Sequence, residues 1–244
     1  MVAEYVACDA DIAAVASLIA DPTRAAVLTS LLDGRALAAG ELARLAGVSP
    51  ATASAHLARL LAGGLVTVVS QGRHRYYRLS GPEVAEVLEV LARVSPRPPV
   101  RSLRQSRQAR LLGEARTCYD HLAGRAGVEL LAAMVDAGHL AGRDSYEITA
   151  PGEAALAELG VDLAAARAAR RRFAPACVDW TERRPHLGGA LGAAITGALI
   201  ERDWYRRGPV PRLLEVTELG RKGLAAMLSC KGLTSNTPVT RARE

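Results

Sequence analysis

The sequence predicts a mainly α-helical protein with small β-hairpins, an α+β organisation spread over more than one domain. Three observations carry this. Half of the 244 residues are hydrophobic but only 4% are aromatic, so the cores must be built from small aliphatic side chains, which suit helices. Apolar residues recur at helical spacing through most of the chain and are interrupted by short β-rich runs bounded by glycine. The proline-rich stretch SPRPPVR, residues 95–101, is expected to be extended and to separate two parts, in line with the roughly two domains that this length implies.

The elements of the first part can be justified in order. DIAAVASLIA is a helix for which Asp9 or Asp11 can act as N-cap. DPTRAAVLTSLLDG follows, with Asp21 as N-cap, Pro22 at the first helical position and Gly34 as the stop. AGELARLAG is a short helix ended by Gly47, and GVS is a tight turn. PATASAHLARLLAGG begins at a Ser49 cap and Pro50. LVTVVSQGRHRYYRLS reads as a hairpin around Gln71, Gly72 and Arg73, and GPEVAEVLEVLARV closes the unit as a helix. Two helices joined by a glycine-containing turn and followed by a hairpin define a winged helix-turn-helix.

Charge supports a nucleic-acid partner. Residues 42 to 82 contain no Asp or Glu but five Arg, inside a first part that is close to neutral as a whole. A one-signed surface of this kind suits a phosphate backbone. On the second helix of the pair, Leu57, Leu60 and Leu61 can face the core, while Ser49, Thr52, Ser54, His56 and Arg59 can meet phosphates or base edges. On the hairpin, Arg73, His74, Arg75 and Tyr77 can lie along the flanking backbone. Ser49 and Thr52 have an alternative use, capping or back-bonding their own helix.

DPTRAAVLTSLL, ELARLAGVSPATASAHLARLLAGGLV and GRHRYYRLS together resemble the ArsR/SmtB family of bacterial winged-helix repressors, over about the first 95 residues. The resemblance implies a homodimer that binds an inverted-repeat operator in double-stranded DNA, with the first and closing helices at the dimer contact. It also implies that a metal or small-molecule effector changes DNA affinity, most often by relieving repression. It places Ser49, Thr52, Ser54 and His56 on the recognition helix and Arg73 on the wing. Ala55 departs from the family's polar run. The family's metal positions are also missing: ELARLAG has no Cys-x-Cys pair, and the closing helix has Glu83, Glu86 and Glu89, read as solvated, but no His. Any sensing must lie further along the chain.

The second part contains an internal repeat. HLAGRAGVELLAAMVDAGHL, from His121, aligns with HLGGALGAAITGALIERDWY, from His186, and ITAPGEAAL with VTELGRKGL. Each copy reads as helix, turn, strand ending in Thr, and helix, which predicts two degenerate winged-helix-like repeats. Ala190, Leu191, Gly192, Ala193, Ala194, Ile195 and Gly197 replace the polar side chains a recognition helix needs, so this part is expected to pack or sense rather than read DNA. The resulting division is 1–95 for DNA binding, 96–116 for a Pro/Arg-rich linker and connecting helix, 117–230 for a sensing and dimer-support domain with units at about 117–160 and 162–230, and 231–244 for a disordered tail.

Each copy carries a Cys and a His: Cys118 with His121, and Cys177 with His186. Two thiolates and two imidazoles would suit zinc or another transition metal. The three-residue step from Cys118 to His121 would put both on one helix face, whereas Cys177 and His186, nine apart around Pro185, need a loop. Two other readings stay open: histidines bonded to Asp120 or Asp179 with cysteines filling small core sites, or a reactive thiol near Arg116 or His121. Trp180 and Arg183 could wall a pocket for an anionic ligand.

Cysteines at 8, 118, 177 and 230 form no CxxC, so no disulfide framework is expected. With no membrane-length apolar run and no secretory signal pattern, the expected location is cytoplasmic, without a membrane partner. Two other classes compete with a regulator. An enzyme using the winged helix only to dimerise would need a Rossmann-type turn, and GGALG is expected to lie inside a helix without a preceding strand. A ligand-independent architectural DNA-binding protein would cover DNA uniformly.

Overall fold

The computed structural model describes residues 10–72, 74–96, 99 and 101–228. The chain divides into two compact units, Met1–Pro96 and Arg97–Glu244. Arg73, Cys8, Cys230, the tail over 231–244 and part of the proline-rich stretch lie outside the described residues.

In the first unit, α1 (Ile12–Ile19) starts at Asp11, whose carboxylate accepts from Ala14 N at 3.0 Å. α2 (Pro22–Ser30) starts at Asp21, which accepts from Arg24 N at 2.9 Å. Arg24 is itself buried and donates to the Leu18 and Ser17 carbonyls at 2.6 and 2.8 Å, satisfying acceptors at the end of α1. A two-residue strand, β1 (Leu37–Ala38), precedes α3 (Ala39–Ala46), which ends at Gly47 in the left-handed conformation. α4 (Pro50–Ala62) follows from the Ser49 cap. β2 (Val66–Gln71) and β3 (His74–Leu79) form the hairpin, and β3 also pairs with β1 through Leu37 and Tyr77, giving the sheet order β1-β3-β2. α5 (Pro82–Val94) completes a winged helix-turn-helix. Val27, Leu28, Leu31, Leu42, Leu57 and Leu60 are fully buried in its core. Glu89 is buried too, not solvated, whereas Glu83 and Glu86 are exposed.

The second unit begins with α6 (Leu103–Glu114), and its core is one cluster shared by two repeats. The first repeat is β4 (Arg116–Cys118), β5 (His121–Ala123), α7 (Arg125–Asp136), β6 (Leu140–Gly142), β7 (Tyr146–Ile148) and α8 (Ala150–Glu158). A short connector, α9 (Leu163–Ala168), leads to the second repeat. That repeat is β8 (Ala176–Val178), β9 (Pro185–Leu187), α10 (Gly189–Glu201), β10 (Tyr205–Arg207), β11 (Leu214–Val216) and α11 (Glu218–Leu228).

The helix–hairpin–helix of each copy matches the sequence pattern, but the front of each repeat does not. Where a winged helix has a helix pair, each repeat has a two-stranded hairpin. Three-residue strands are too short to display an alternation of period two, so the pattern could not announce them. GGALG also turns out to follow a strand, β9, and to open α10. Because β9 is the antiparallel partner of β8 and not part of a parallel sheet, it still makes no Rossmann turn.

The repeats are interlocked about a pseudo-twofold. An antiparallel bridge joins Arg116 of the first repeat to Leu213 of the second, and another joins Ser145 to Pro175. α7 packs on β9, and α10 packs on β5. Two equivalent glycines permit this. A Cβ on Gly127 would lie 2.4 Å from the Leu122 carbonyl oxygen and 3.4 Å from His186 Cβ; one on Gly192 would lie 2.3 Å from Leu187 O and 3.2 Å from His121 Cβ. Each glycine thus makes room chiefly for the strand carbonyl of its own repeat, with the other repeat's histidine packed beside it.

Candidate functional site

α4 shows a clear division between its faces. Ala53, Leu57 and Leu60 are buried, while Ala51, Thr52, Ser54, Ala55, Ala58 and Arg59 are exposed. Of the polar groups, Ser49 is used as the cap, accepting from Thr52 N at 3.2 Å and bonding the Thr52 hydroxyl at 2.9 Å. Ser54 donates back to the Pro50 carbonyl at 2.9 Å. Arg59 points outward with nothing acidic along the helix. His56 is turned inward: its Nδ1 lies 3.5 Å from both Asp21 Oδ1 and Arg24 Nη1, so it joins α4 to α2.

On the hairpin, His74 and Arg75 are exposed. Tyr77 is a core residue, only 4% exposed, with the Arg75 guanidinium 5.6 Å from its ring centroid. Tyr77 and Leu79 alternate onto the buried face of β3, and Tyr77 is also paired with Leu37 of β1. Arg44, exposed in the last turn of α3, and Arg78 on β3 add positive charge that the sequence reading had not assigned to DNA contact.

The second unit brings the four Cys and His residues together. One ligand atom from each of Cys118, His121, Cys177 and His186 lies within 4.8 Å of the others. Cys118 and His121 do not share a helix face. They are cross-strand partners on the β4–β5 hairpin, with Tyr119 at positive φ in its turn. Cys177 and His186 are partners in the same way on β8–β9. The different spacings in sequence are therefore different loop lengths between equivalent positions.

Most of the cluster is buried. His186 is fully buried, Cys118 and His121 are 3% and 7% exposed, and Cys177 is half-buried. The two sulfurs are 3.8 Å apart, and the imidazoles stack with centroids at 5.1 Å. His121 Nδ1 lies 3.5 Å from Asp120 Oδ1, and His186 Nδ1 lies 3.9 Å from Asp179 Oδ2. The Nε2 atom of each ring has no hydrogen-bond partner among the described residues. The Cys118 thiol, with the two histidines, holds the Cys177 thiol well below its usual pKa, against the effect of burial. Burial disfavours a charged His121, but Asp120 and Cys177 outweigh it and raise the ring to about 9.

Asp179 is the hub beside this cluster. Oδ2 accepts from Arg116 Nη2 at 2.8 Å and from Gly124 N, at the start of α7, at 2.7 Å. Oδ1 accepts from the backbone of Thr181 and Glu182 at 2.8 and 3.1 Å and from the Thr181 hydroxyl. Trp180 covers the other side of Arg116, 4.5 Å from guanidinium to ring, so its ring shields this ion pair instead of walling a cavity. Arg183 is exposed in the β8–β9 turn, at φ 55°. A separate cavity of about 360 Å³ is lined by Arg110, Glu114, Arg125, Tyr205 and Arg221, with Leu214 at its floor. Sequence reasoning named Asp179 only as a partner for a histidine and Arg116 only as a neighbour of a thiol; it missed their ion pair and this cavity. The available signal was the shared Cys-x-Asp of the two copies, CYD and CVD.

A winged helix with an acid-free outer helix defines a DNA-binding protein, and the comparisons agree. Residues 19–69 match the helix-turn-helix domain family. YdfF of Bacillus subtilis (strain 168), an uncharacterized HTH-type transcriptional regulator, is 42% identical over 222 residues, covering 91% of this chain and 98% of YdfF. The HTH-type transcriptional regulator CmtR of Mycobacterium tuberculosis (strain ATCC 25618 / H37Rv) is 38% identical over 76 residues, 31% of this chain and 64% of CmtR. Similar solved structures include NolR from Sinorhizobium fredii, at 33% identity over 34% of this chain and 81% of that one, TM-score 0.32. The cadmium metal-sensor CMTR from Mycobacterium tuberculosis is 33% identical over 38% of this chain and all of that one, TM-score 0.31. The chain belongs to the HTH-type transcriptional regulators. It is a DNA-binding regulator of transcription, not an enzyme.

Proposed function

We propose that this regulator works in the cytoplasm as a homodimeric repressor on an inverted-repeat operator, with an effector bound in the second unit lowering its affinity for DNA. The observation that carries the reading is the outer face of α4, where Thr52, Ser54 and Arg59 stand exposed on a helix with no acidic residue, next to a wing that exposes His74 and Arg75. Ser49 supports this surface as its cap, and Arg73 extends the wing by its place in sequence. His56 and Tyr77 serve the surface from behind.

Dimerisation is supported by apolar residues left uncovered on the first and last helices of the unit. On α5, Val87, Val90, Leu91 and Val94 are exposed at spacings of three and four, and on α1 Ile12 and Val15 are exposed. A second copy of the chain, pairing the same two helices, is the occupant this face suits.

Arg59 provides the test. Arg59→Ala should weaken operator binding at every sequence variant alike and reduce the slope of log affinity against log salt by about one, as expected for one lost phosphate contact. Fluorescence anisotropy across a salt series measures both. Unchanged affinity and slope would remove α4 from the interface. His56→Ala should instead act mainly through stability, because its contacts are with Asp21 and Arg24.

A further inference from the structure

We infer that Cys118, His121, Cys177 and His186 form a tetrahedral site for zinc or a similar soft divalent ion, and that the ion cross-links the two repeats of the second unit. The inference does not depend on what the effector is. It rests first on the donor set: each hairpin supplies one sulfur and one imidazole from directly paired positions, so the pseudo-twofold generates two-plus-two ligands. None of the family's metal positions in the winged helix carries such a set.

Distances support it independently. With Zn–S bonds of about 2.3 Å and tetrahedral angles, two thiolates on one ion sit about 3.8 Å apart. The Cys118 and Cys177 sulfurs are 3.8 Å apart, far beyond the ~2.05 Å of a disulfide. The histidine Nε2 atoms are buried without partners, a costly state for polar nitrogen unless something binds there. His121 Nδ1 bonds a carboxylate, Asp120, the arrangement in which a carboxylate orients a metal-binding imidazole, whereas His186 Nδ1 lies 3.9 Å from Asp179 without a hydrogen bond. Those carboxylates are held in turn by Arg171 at 2.8 Å and Arg116 at 2.8 Å.

The arrangement also suggests the ion's role. The protein supplies four ligands, three of them on buried residues and the fourth, Cys177, on a half-buried one, which is the pattern of a structural site and not of one with an open coordination position. Two ligands from each repeat mean that binding free energy becomes free energy of holding the repeats together. The thiols must lose their protons as the ion binds, and these leave to solvent.

The test uses full-length, untagged protein purified without chelator. Elemental mass spectrometry should find about one zinc per chain, and cobalt(II) added to stripped protein should give the d–d bands of a tetrahedral centre with thiolate-to-cobalt charge transfer. Cys118→Ser and His186→Ala should lose the ion, while Cys8→Ser and Cys230→Ser keep it. Because the first two variants can also fail by unfolding, the wild-type protein gives a second reading. Alkylation mapped by peptide mass should label Cys118 and Cys177 on chelation and spare them on zinc addition. Zinc should also raise the temperature at which the second unit melts. A cobalt spectrum without thiolate ligands, metal that survives loss of Cys118, a Cys118–Cys177 disulfide in freshly purified protein, or no stoichiometric metal would each overturn the inference. Operator binding measured on the same sample separates this failure from failure of the regulator reading.

Discussion

Asp179→Ala should destabilise the second unit by about 3–5 kcal/mol, the scale for removing one partner of a buried ion pair. The side chain is 1% exposed and accepts from Arg116, Thr181, Glu182 and Gly124 at once. Its removal leaves the guanidinium of Arg116, also 1% exposed, charged and unpaired, and frees the first amide of α7. It also unties the turn of the second repeat from the hairpin of the first. Urea unfolding followed separately for the two units should show a loss confined to the second, since no residue of the first takes part. A change below about 1 kcal/mol would mean that the packing of the repeats, and not this network, holds them.

The same carboxylate predicts a pH effect. Burial alone would raise its pKa, but Arg116, the Thr181 hydroxyl and the Gly124 and Glu182 amides outweigh burial and hold it well below the usual carboxylate range. The unfolded chain therefore binds this proton more readily than the folded one. The stabilisation is complete above the unfolded value of about 3.9 and is lost progressively as pH falls beneath it. Asp179→Asn should flatten this part of the acid-unfolding profile.

The second large effect concerns assembly. Leu91→Glu combined with Val87→Glu should turn a dimer into a monomer without unfolding it, because both side chains already face solvent in the single chain, at 39% and 46% exposure. Exposed substitutions of this kind usually change stability by no more than about 0.5 kcal/mol. Operator affinity should nevertheless fall by about 10²–10⁴-fold, since two coupled half-site contacts become independent ones. Sedimentation velocity and anisotropy on the same preparation read the two effects. A variant that stays dimeric would move the interface away from α5. A monomer with undiminished affinity would deny that the dimer is the DNA-binding form.

The first unit was legible because its signals are local. Asp11, Asp21 and Ser49 cap where hydroxyl and carboxylate side chains should, Pro22, Pro50 and Pro82 stand in the first helical turn, and Gly47 ends α3. β1 escaped because two residues carry no pattern. His56 looked like a DNA contact by position alone; its inward turn depends on Asp21 and Arg24, more than thirty residues away.

The second unit was legible as a repeat but not as a site. The three-residue step from Cys118 to His121 read as one helix face because their turn, Tyr119–Asp120, has neither Gly nor Asn to mark a hairpin. The other copy uses a longer turn, so spacing counted along the chain hid positions that are equivalent across the sheet. Alignment from the histidines onward found Gly127 and Gly192, but only the packing shows that each lets its helix approach the Leu122 or Leu187 carbonyl of the preceding strand.

The most direct test of the whole account is selection of bound sequences from a random duplex pool by the full-length protein, followed by footprinting on the winner. The account predicts an inverted repeat whose half-sites lie about 10–10.5 base pairs apart, or a multiple of that, with a bounded footprint that shrinks steeply as salt rises. Enrichment of no sequence, with uniform coverage of any duplex offered, would contradict it and identify an architectural DNA-binding protein instead.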